Sequence, residues 1–230
     1  AERMACRLQR MYDSDPYGKF KHLAKYLEVV KFDHRAGKYN KWNGKTYCDE
    51  SALEKPLHWK KPRRIFVCSM GDIALTPYQF FVKIMITIKD CPQHTFMFLT
   101  KRPEQLLKLC RGLYEHGSPP GNLWIGVTAE NQEQADKRIP ILLQIPAVVR
   151  FVSIEPMLSE INLEKYLHCG ISWCIIGAES GKNARFMNEN WVRSLICQCK
   201  KNQTAVFYKQ KRVGNKMIKM PEIDGKVYAD

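Results

Sequence analysis

Polar and charged residues recur at one kind of position along this 230-residue chain, directly after short apolar runs. Each run is of the kind that forms a buried strand, and the ends of such strands form ligand sites in parallel α/β sheets. Carboxylates there suit an ammonium or hydroxyl groups, whereas Lys and Arg suit a carboxylate or phosphate. The pattern therefore indicates a site for a zwitterionic or phosphorylated ligand. Its candidate binding residues are Ser69, Gly71, Asp72, Thr100, Lys101, Arg102, Thr128, Asn131, Ser153, Glu179, Ser180, Gly181, Arg185 and Lys209.

The run at residues 171–181, ISWCIIGAESG, shows the pattern most fully. Its glycines allow a ligand to approach the backbone closely, and Glu179 places a carboxylate at the strand exit. We expect Glu179 and Asp72 to accept hydrogen bonds from amines or hydroxyls. Lys101 and Arg102 are expected to bind an anion. The alternative for each is a solvated side chain or a partner of a helix end.

Two glutamates are the candidate catalytic residues. Glu130 and Glu155 follow apolar runs and have side chains that bind ligands or carry protons. Pro156 fixes the backbone directly after Glu155. The sequence contains no P-loop and no HExxH motif, and its six histidines are scattered.

The apolar runs and the segments between them predict how these residues are positioned. Six runs recur at steps of 23 to 32 residues, and amphipathic helical stretches separate them. The pattern predicts an α/β fold, a partial (β/α) barrel of parallel strands similar to a TIM barrel, with six strand–helix units. Near-continuous apolar strands also predict a sheet covered by helices on both faces. The runs begin near Arg64, Thr95, Leu123, Val149, Ser172 and Thr204.

The chain is expected to form a single domain of residues 1–230. Within it we predict N-terminal helices in residues 1–31, a surface excursion in 32–62, the barrel core in 63–211 and a basic tail in 212–230. The helices are expected at Ala1–Met11 and Phe20–Val30, and the excursion carries turn signals at Ala36-Gly37 and Asn43-Gly44, the latter a strong hairpin signal.

The composition limits the location and the partners of the protein. The formal net charge is +14, from 37 basic and 23 acidic residues, which favours binding of nucleic acid, a nucleotide or an acidic partner. Aromatic residues lie among the cations, as suits base stacking, although a solvated basic rim is an equal alternative. Because no apolar run approaches the roughly 18 residues of a membrane span, we expect a cytoplasmic protein with no membrane contact.

The nine cysteines are interpreted as structural thiols. They show no CxxC spacing, and their odd number argues against a fully paired disulfide framework. Several lie within apolar segments, where a thiol acts as a small hydrophobic group. We therefore predict no metal site made from these cysteines.

Several of these segments together resemble one known family. The chain resembles a phage-type family of unknown function related to radical SAM enzymes. The resemblance runs nearly in order across Lys60–Gln210 and rests on SMGD, LTKRPE, LWIGVTAENQ, RFVSIEPML, IIGAESG and FYKQ. In that family a cysteine triplet ending in Cys-Tyr-Ala-Glu precedes the first helix. Residues Ala1–Ala5 resemble the sequence just after its last cysteine, so this sequence is expected to begin past the cluster loop.

The resemblance implies a partial barrel that binds a [4Fe–4S] cluster through three cysteines and S-adenosylmethionine at the open iron site. No cysteine of this chain matches the triplet, so this chain is expected to lack the cluster and its redox chemistry. Ser69, Gly71 and Asp72 correspond loosely to the stretch that holds the methionine amine in radical SAM enzymes. A three-Cys-motif partner protein is a further implied partner.

Three functions remain open at this point. The first is a radical-SAM-like enzyme that modifies a nucleic-acid base or nucleotide through a 5′-deoxyadenosyl radical, when the cluster loop is present. The second is a non-catalytic module that binds nucleic acid or a partner protein. The third is a redox-free barrel enzyme with Glu130 or Glu155 as its base.

Overall fold

The computed structural model describes residues 2–15, 17, 19, 21–35, 38–114, 118–181 and 183–230. Short 3₁₀ helices cover Lys21–Glu28, Lys55–His58 and Ile73–Leu75. The α-helices are α1 (Glu2–Ser14), α2 (Ser51–Glu54), α3 (Tyr78–Asp90), α4 (Pro103–Tyr114), α5 (Gln132–Leu142), α6 (Glu164–Leu167) and α7 (Glu189–Lys201). The strands are β1 (Val30–Asp33), β2 (Lys38–Trp42), β3 (Arg64–Phe66), β4 (Thr95–Thr100), β5 (Leu123–Thr128), β6 (Val149–Ile154), β7 (Trp173–Gly177), β8 (Ala205–Val213), β9 (Lys216–Lys219), β10 (Glu222–Ile223) and β11 (Lys226–Val227).

A curled seven-stranded sheet forms a half-barrel at the centre of the fold. Its strands follow the order of the chain, from β3 to β9. Strands β3 to β8 are parallel, and β9 pairs antiparallel with β8. The predicted α/β architecture with six parallel strands in succession is therefore confirmed, whereas a radical-SAM identity stays a prediction.

The main core lies between the sheet and its helices. Alternate residues of each strand point to opposite faces, and one set, such as Phe98, Ile125 and Ile176, is fully buried in this core. Helices α3, α4, α5 and α7 contribute buried side chains to the same core, among them Phe81 and Leu195. Connections between neighbouring parallel strands have one hand, so sequential strand order places the helices on one face.

The concave face of the half-barrel carries a smaller group of apolar side chains, here called the concave cluster. Its members come from the strands, so within the described residues the prediction of helices on both faces is wrong. Periodicity distinguishes a buried strand from an exposed one, but it does not reveal strand order, and strand order decides which faces the helices cover. The concave cluster contains buried Met97, Phe151, Trp173 and Ile175, with Leu99, Trp124, Ala205 and Phe207 packed around them.

The N-terminal region departs from the sequence-based prediction in two places. Residues 21–28 form a 3₁₀ helix, and the predicted helix ends there because Val30–Asp33 continues as a strand. Strands β1 and β2 form an antiparallel hairpin whose turn lies before Lys38. The Asn43-Gly44 signal therefore follows the hairpin, and the Ala36-Gly37 turn lies outside the described residues.

Residues 212–230 are more ordered than a basic tail would be. Strand β9 forms the far edge of the sheet, and β10 and β11 form a small antiparallel pair. Ile223 and Tyr228 are buried in the main core, and the backbone N–H of Tyr208 donates to the carbonyl of Tyr228 over 2.9 Å. Two apolar side chains therefore fix this segment to the barrel.

Candidate functional site at the carboxyl ends of the strands

Asp72 organises the exits of β3 and β4. Its carboxylate accepts hydrogen bonds from the Thr100 hydroxyl at 2.6 Å, the Lys101 backbone at 3.2 Å and the Arg102 guanidinium at 3.0 Å. It also caps the following 3₁₀ helix by accepting from the Ala74 backbone at 3.1 Å. The predicted residues of these two exits do lie together, but the Asp72 carboxylate already receives four donors.

Glu130 at the exit of β5 lies between two cations. Arg138 of α5 donates to its Oε2 at 2.7 Å, and Lys101 pairs with its Oε1. Arg138 also donates to the Thr128 carbonyl at 2.7 Å. Burial by itself raises the pKa of Glu130, but the Lys101 hydrogen bond and the charges of both cations lower this pKa overall. Glu130 is therefore held as a carboxylate.

Glu155 at the exit of β6 pairs with Lys209 of β8. The Lys209 ammonium lies 3.0 Å from Glu155 Oε1, and the Ser153 hydroxyl donates to Oε2 at 3.2 Å. Gly177 of β7 makes room for this pair, because a Cβ at that position would lie 2.5 Å from Glu155 Oε1. Three neighbouring strands thus fix one carboxylate, which is 17% exposed.

Glu179 and Arg185 form a bidentate ion pair beyond β7. The Arg185 Nε and NH2 groups each donate to the Glu179 carboxylate at 2.8 Å, and the Arg185 backbone donates at 2.9 Å. The hydrogen bonds from Arg185 lower the pKa of Glu179 to about 2. The hydrogen bond to Glu179 chiefly raises the pKa of Arg185, and the charge of Glu130 adds a smaller contribution.

We expect the Glu179–Arg185 pair to make stability depend on acid pH. The pKa of Glu179 is about 2 in the folded chain, against about 4.3 for an unperturbed glutamate. Its contribution is complete above the unperturbed value and is lost as the pH falls through the folded value. Urea titrations between pH 7 and pH 2 should show that the destabilisation by Glu179→Gln shrinks over this window. Arg185→Gln should reproduce this pH dependence, and a destabilisation that stays constant down to pH 2 would contradict it.

Two further predicted residues of this edge, Asn131 and Gly181, have structural partners. Asn131 caps α5 by accepting from the Gln134 backbone at 3.0 Å. Gly181 has a positive φ of 119°, and its carbonyl accepts from Arg212. Ser180 beside it is exposed. Backbone geometry therefore accounts for Asn131 and Gly181 without a ligand.

A cavity of about 450 Å³ lies beside the exit of β3. Of the predicted site residues, Ser69, Gly71 and Asp72 line it. Its other walls come from the N-terminal region, where the rings of Trp42 and Tyr47 line it, and from α3. The sequence predicted one pocket ringed by all six strand ends, whereas the remaining predicted residues lie outside the lining of this cavity.

Sequence reasoning missed three contributors to this edge of the sheet. Arg138 lies eight positions after Glu130 on the next helix, and an exposed arginine on an amphipathic helix would give the same pattern. Gly177 was expected to let a ligand approach the backbone closely, whereas in the structure it accommodates the Glu155 side chain. The aromatic wall of the cavity comes from the region interpreted as a surface excursion, where Trp42 and Tyr47 gave no periodic signal.

The cysteines do not assemble into a ligand set within the described residues. All nine are free, and five of them, including Cys174 and Cys199, are buried. No group of three or more His, Cys, Asp or Glu side chains in the described part of the chain is arranged to hold a metal ion. A [4Fe–4S] cluster needs three thiolates close together, so the described cysteines do not fit it.

Comparison with known proteins identifies the family. No helix among the described residues has the length and apolarity that a membrane crossing requires. No curated protein and no solved structure matches the chain. One family profile, described as a protein of unknown function (DUF5131), matches residues 1–227. Because the match covers nearly all 230 residues, the chain belongs to the DUF5131 family of proteins of unknown function.

Proposed function

We propose that this chain is the half-barrel of a radical-SAM-like protein and that it binds S-adenosylmethionine in the cavity beside β3. One observation carries the proposal: the segment Ser69–Asp72, which the sequence resemblance relates to the methionine-binding stretch, forms part of the cavity wall. The proposed substrate is a nucleic-acid base or a nucleotide, in accord with the net charge of +14.

The size and lining of the cavity support a nucleoside ligand. Small-molecule pockets in proteins span roughly 300–1,000 Å³ and are mostly apolar with a few polar groups, and this cavity measures about 450 Å³. Tyr26, Trp42 and Tyr47 provide rings for an adenine. The Lys25–Asp49 ion pair, with its partners 2.5 Å apart, adds polar groups to the wall.

The hydrogen bonds around the cavity give Asp72 a different role from the ligand-binding role that the sequence predicted. Four donors already occupy the Asp72 carboxylate, so we assign it to shaping the β3 exit. The backbone and hydroxyl of Ser69 remain as candidates to receive the methionine amine. Because the described cysteines do not fit the cluster, we derive no radical step from this chain.

The ion pairs at the strand ends weaken the case for a redox-free enzyme. A general base works best with a pKa near the operating pH. The pKa of Glu130 is lowered instead, and Glu155 is paired with Lys209. We therefore assign both glutamates to positioning the loops at this edge of the half-barrel.

Filling the cavity should weaken ligand binding. Gly71 lines the cavity, and a Cβ added there would meet no atom within 4 Å. Gly71→Phe is thus expected to fold normally and to weaken binding of S-adenosylmethionine, measured by isothermal titration calorimetry, by about tenfold or more. Gly121→Phe is the matched control, because Gly121 has the same open surroundings away from the cavity lining. The proposal would be overturned if the wild-type chain bound no S-adenosylmethionine at millimolar concentration. It would also be overturned if Gly71→Phe and Gly121→Phe weakened binding equally.

A further inference from the structure

A basic segment leads into the first strand of the half-barrel. Its four cations, Lys60, Lys61, Arg63 and Arg64, are exposed, and residues 55–71 contain no Asp or Glu. Within the described residues none of the four takes part in a salt bridge. The cations at the carboxyl ends of the strands are neutralised by glutamates and aspartates, so this segment is a distinct site of uncompensated positive charge.

Two indole rings lie beside the arginines of this segment. The Arg63 guanidinium lies 4.5 Å from the centre of the Trp59 ring, and that of Arg64 lies 5.9 Å from the Trp124 ring. Both rings are partly exposed. Cations beside accessible aromatic faces are the features with which proteins hold single-stranded nucleic acid, by phosphate contact and base stacking.

Beside Trp124 lies a buried hydrogen-bond donor, the ring N–H of Trp173. Trp173 is 9% exposed, and its ring lies edge-on to Trp124 at 6.0 Å between ring centres. No hydrogen-bond acceptor for its Nε1–H is found among the described residues. A buried N–H without a partner is unfavourable, and the oxygen or ring nitrogen of a base seated against Trp124 would supply one.

We propose that the basic segment, with Trp124 and Trp173, forms a binding surface for single-stranded nucleic acid. Phosphates contact Lys60, Lys61 and Arg63, one base stacks on Trp124, and an acceptor of that base reaches Trp173 as the rings part. A single strand fits because the bases of a duplex do not expose their faces. This surface lies at the amino-terminal edge of the parallel strands, opposite the ion pairs at their carboxyl ends, and does not depend on S-adenosylmethionine.

Fluorescence anisotropy with a labelled single-stranded oligonucleotide of mixed sequence tests the surface, without S-adenosylmethionine and across a salt series. Each phosphate contact contributes about 0.7 to the slope of log affinity against log salt for single strands. The Lys60→Gln/Lys61→Gln variant, which changes exposed residues, should therefore reduce the slope by about 1.4. Lys108→Gln/Arg111→Gln removes the same charge from exposed positions of α4 and should leave the slope unchanged.

Substitution of the rings separates stacking from attraction by charge alone. Trp124→Ala should weaken binding about tenfold or more, because it removes a stacking partner, whereas Trp124→Phe keeps one and should cost about threefold or less. Trp173→Phe keeps the packing, removes the donor and should weaken binding about fivefold. A thermal melting curve of each variant is the control that the variant is folded.

Three results would overturn this surface. The first is that the α4 control variant loses as much salt slope as Lys60→Gln/Lys61→Gln. The second is that duplex and single strand bind with equal affinity and Trp124→Ala has no effect. The third is that polyglutamate competes with the oligonucleotide at the same concentration of charge. The last would indicate an acidic protein partner instead. Oligonucleotide binding is measured without S-adenosylmethionine, so a chain that binds no oligonucleotide leaves the S-adenosylmethionine proposal intact. A chain that binds no S-adenosylmethionine likewise leaves the nucleic-acid surface intact.

Discussion

Arg138→Met should destabilise the chain by about 3 kcal/mol, because it leaves Glu130 largely buried with one cation fewer. Arg138 and Glu130 are only 12% and 13% exposed in their side chains, and they pair at 2.7 Å. Arg138 also holds the Thr128 carbonyl, so its loss leaves a second acceptor without its donor. Urea denaturation at pH 7 and 25 °C measures the free energy of unfolding.

Lys101→Met is the matched control for this prediction. Lys101 pairs with the same carboxylate but is 50% exposed, and exposed ion pairs contribute about 1 kcal/mol or less. A double variant, Arg138→Met/Glu130→Met, removes both buried charges and should be more stable than Arg138→Met alone. If Lys101→Met destabilised the chain as much as Arg138→Met, burial would not be the deciding factor at this site.

Gly126→Ala should cost about 1–3 kcal/mol by overpacking the concave cluster. A Cβ on Gly126 would lie 2.5–2.6 Å from three ring atoms of Phe151, which is fully buried. The two residues are paired in register across β5 and β6. Because the Phe151 ring packs against Trp173 with 5.6 Å between ring centres, it cannot move away without displacing Trp173. The expected result is a lower urea midpoint with an unchanged m-value.

Gly121→Ala provides the comparison, since an added Cβ there meets no atom within 4 Å. It should change stability by about 0.5 kcal/mol or less. Gly126→Ala combined with Phe151→Leu should lose less than the sum of the single losses, because the smaller side chain relieves the contact. Strict additivity of the two changes would show that the clash is relieved in some other way.

The half-barrel was predictable because its physical cause is local. A strand buried on both faces is a near-continuous apolar run, and β5, β6 and β7 each present one directly before polar residues. The amphipathic stretches that the sequence places between successive apolar runs reproduce α3, α4 and α5 within a few residues. Strand order and the placement of helices on one face depend on contacts between distant segments, which periodicity does not report.

The positions of the polar side chains at the strand ends were predictable, but their partners were not. The side chains expected at the strand ends lie there, yet sequence spacing does not tell that Glu130 binds Arg138 or that Glu155 binds Lys209. These pairs form across 8 and 54 residues of chain. The Trp173 donor, which has no acceptor among the described residues, was equally hidden, because an apolar strand residue gives no sign of what its ring nitrogen contacts.

Sequential strand order has a consequence for how the protein is made. Every parallel strand from β4 to β8 pairs with the strand that precedes it in the chain, so each new unit has its docking partner in place when it emerges during synthesis. The sheet can therefore lengthen in one direction without waiting for a distant segment. Strand β9 then turns back on β8 and occupies the last growing edge, which ends the lengthening and leaves no long free strand there to recruit another chain.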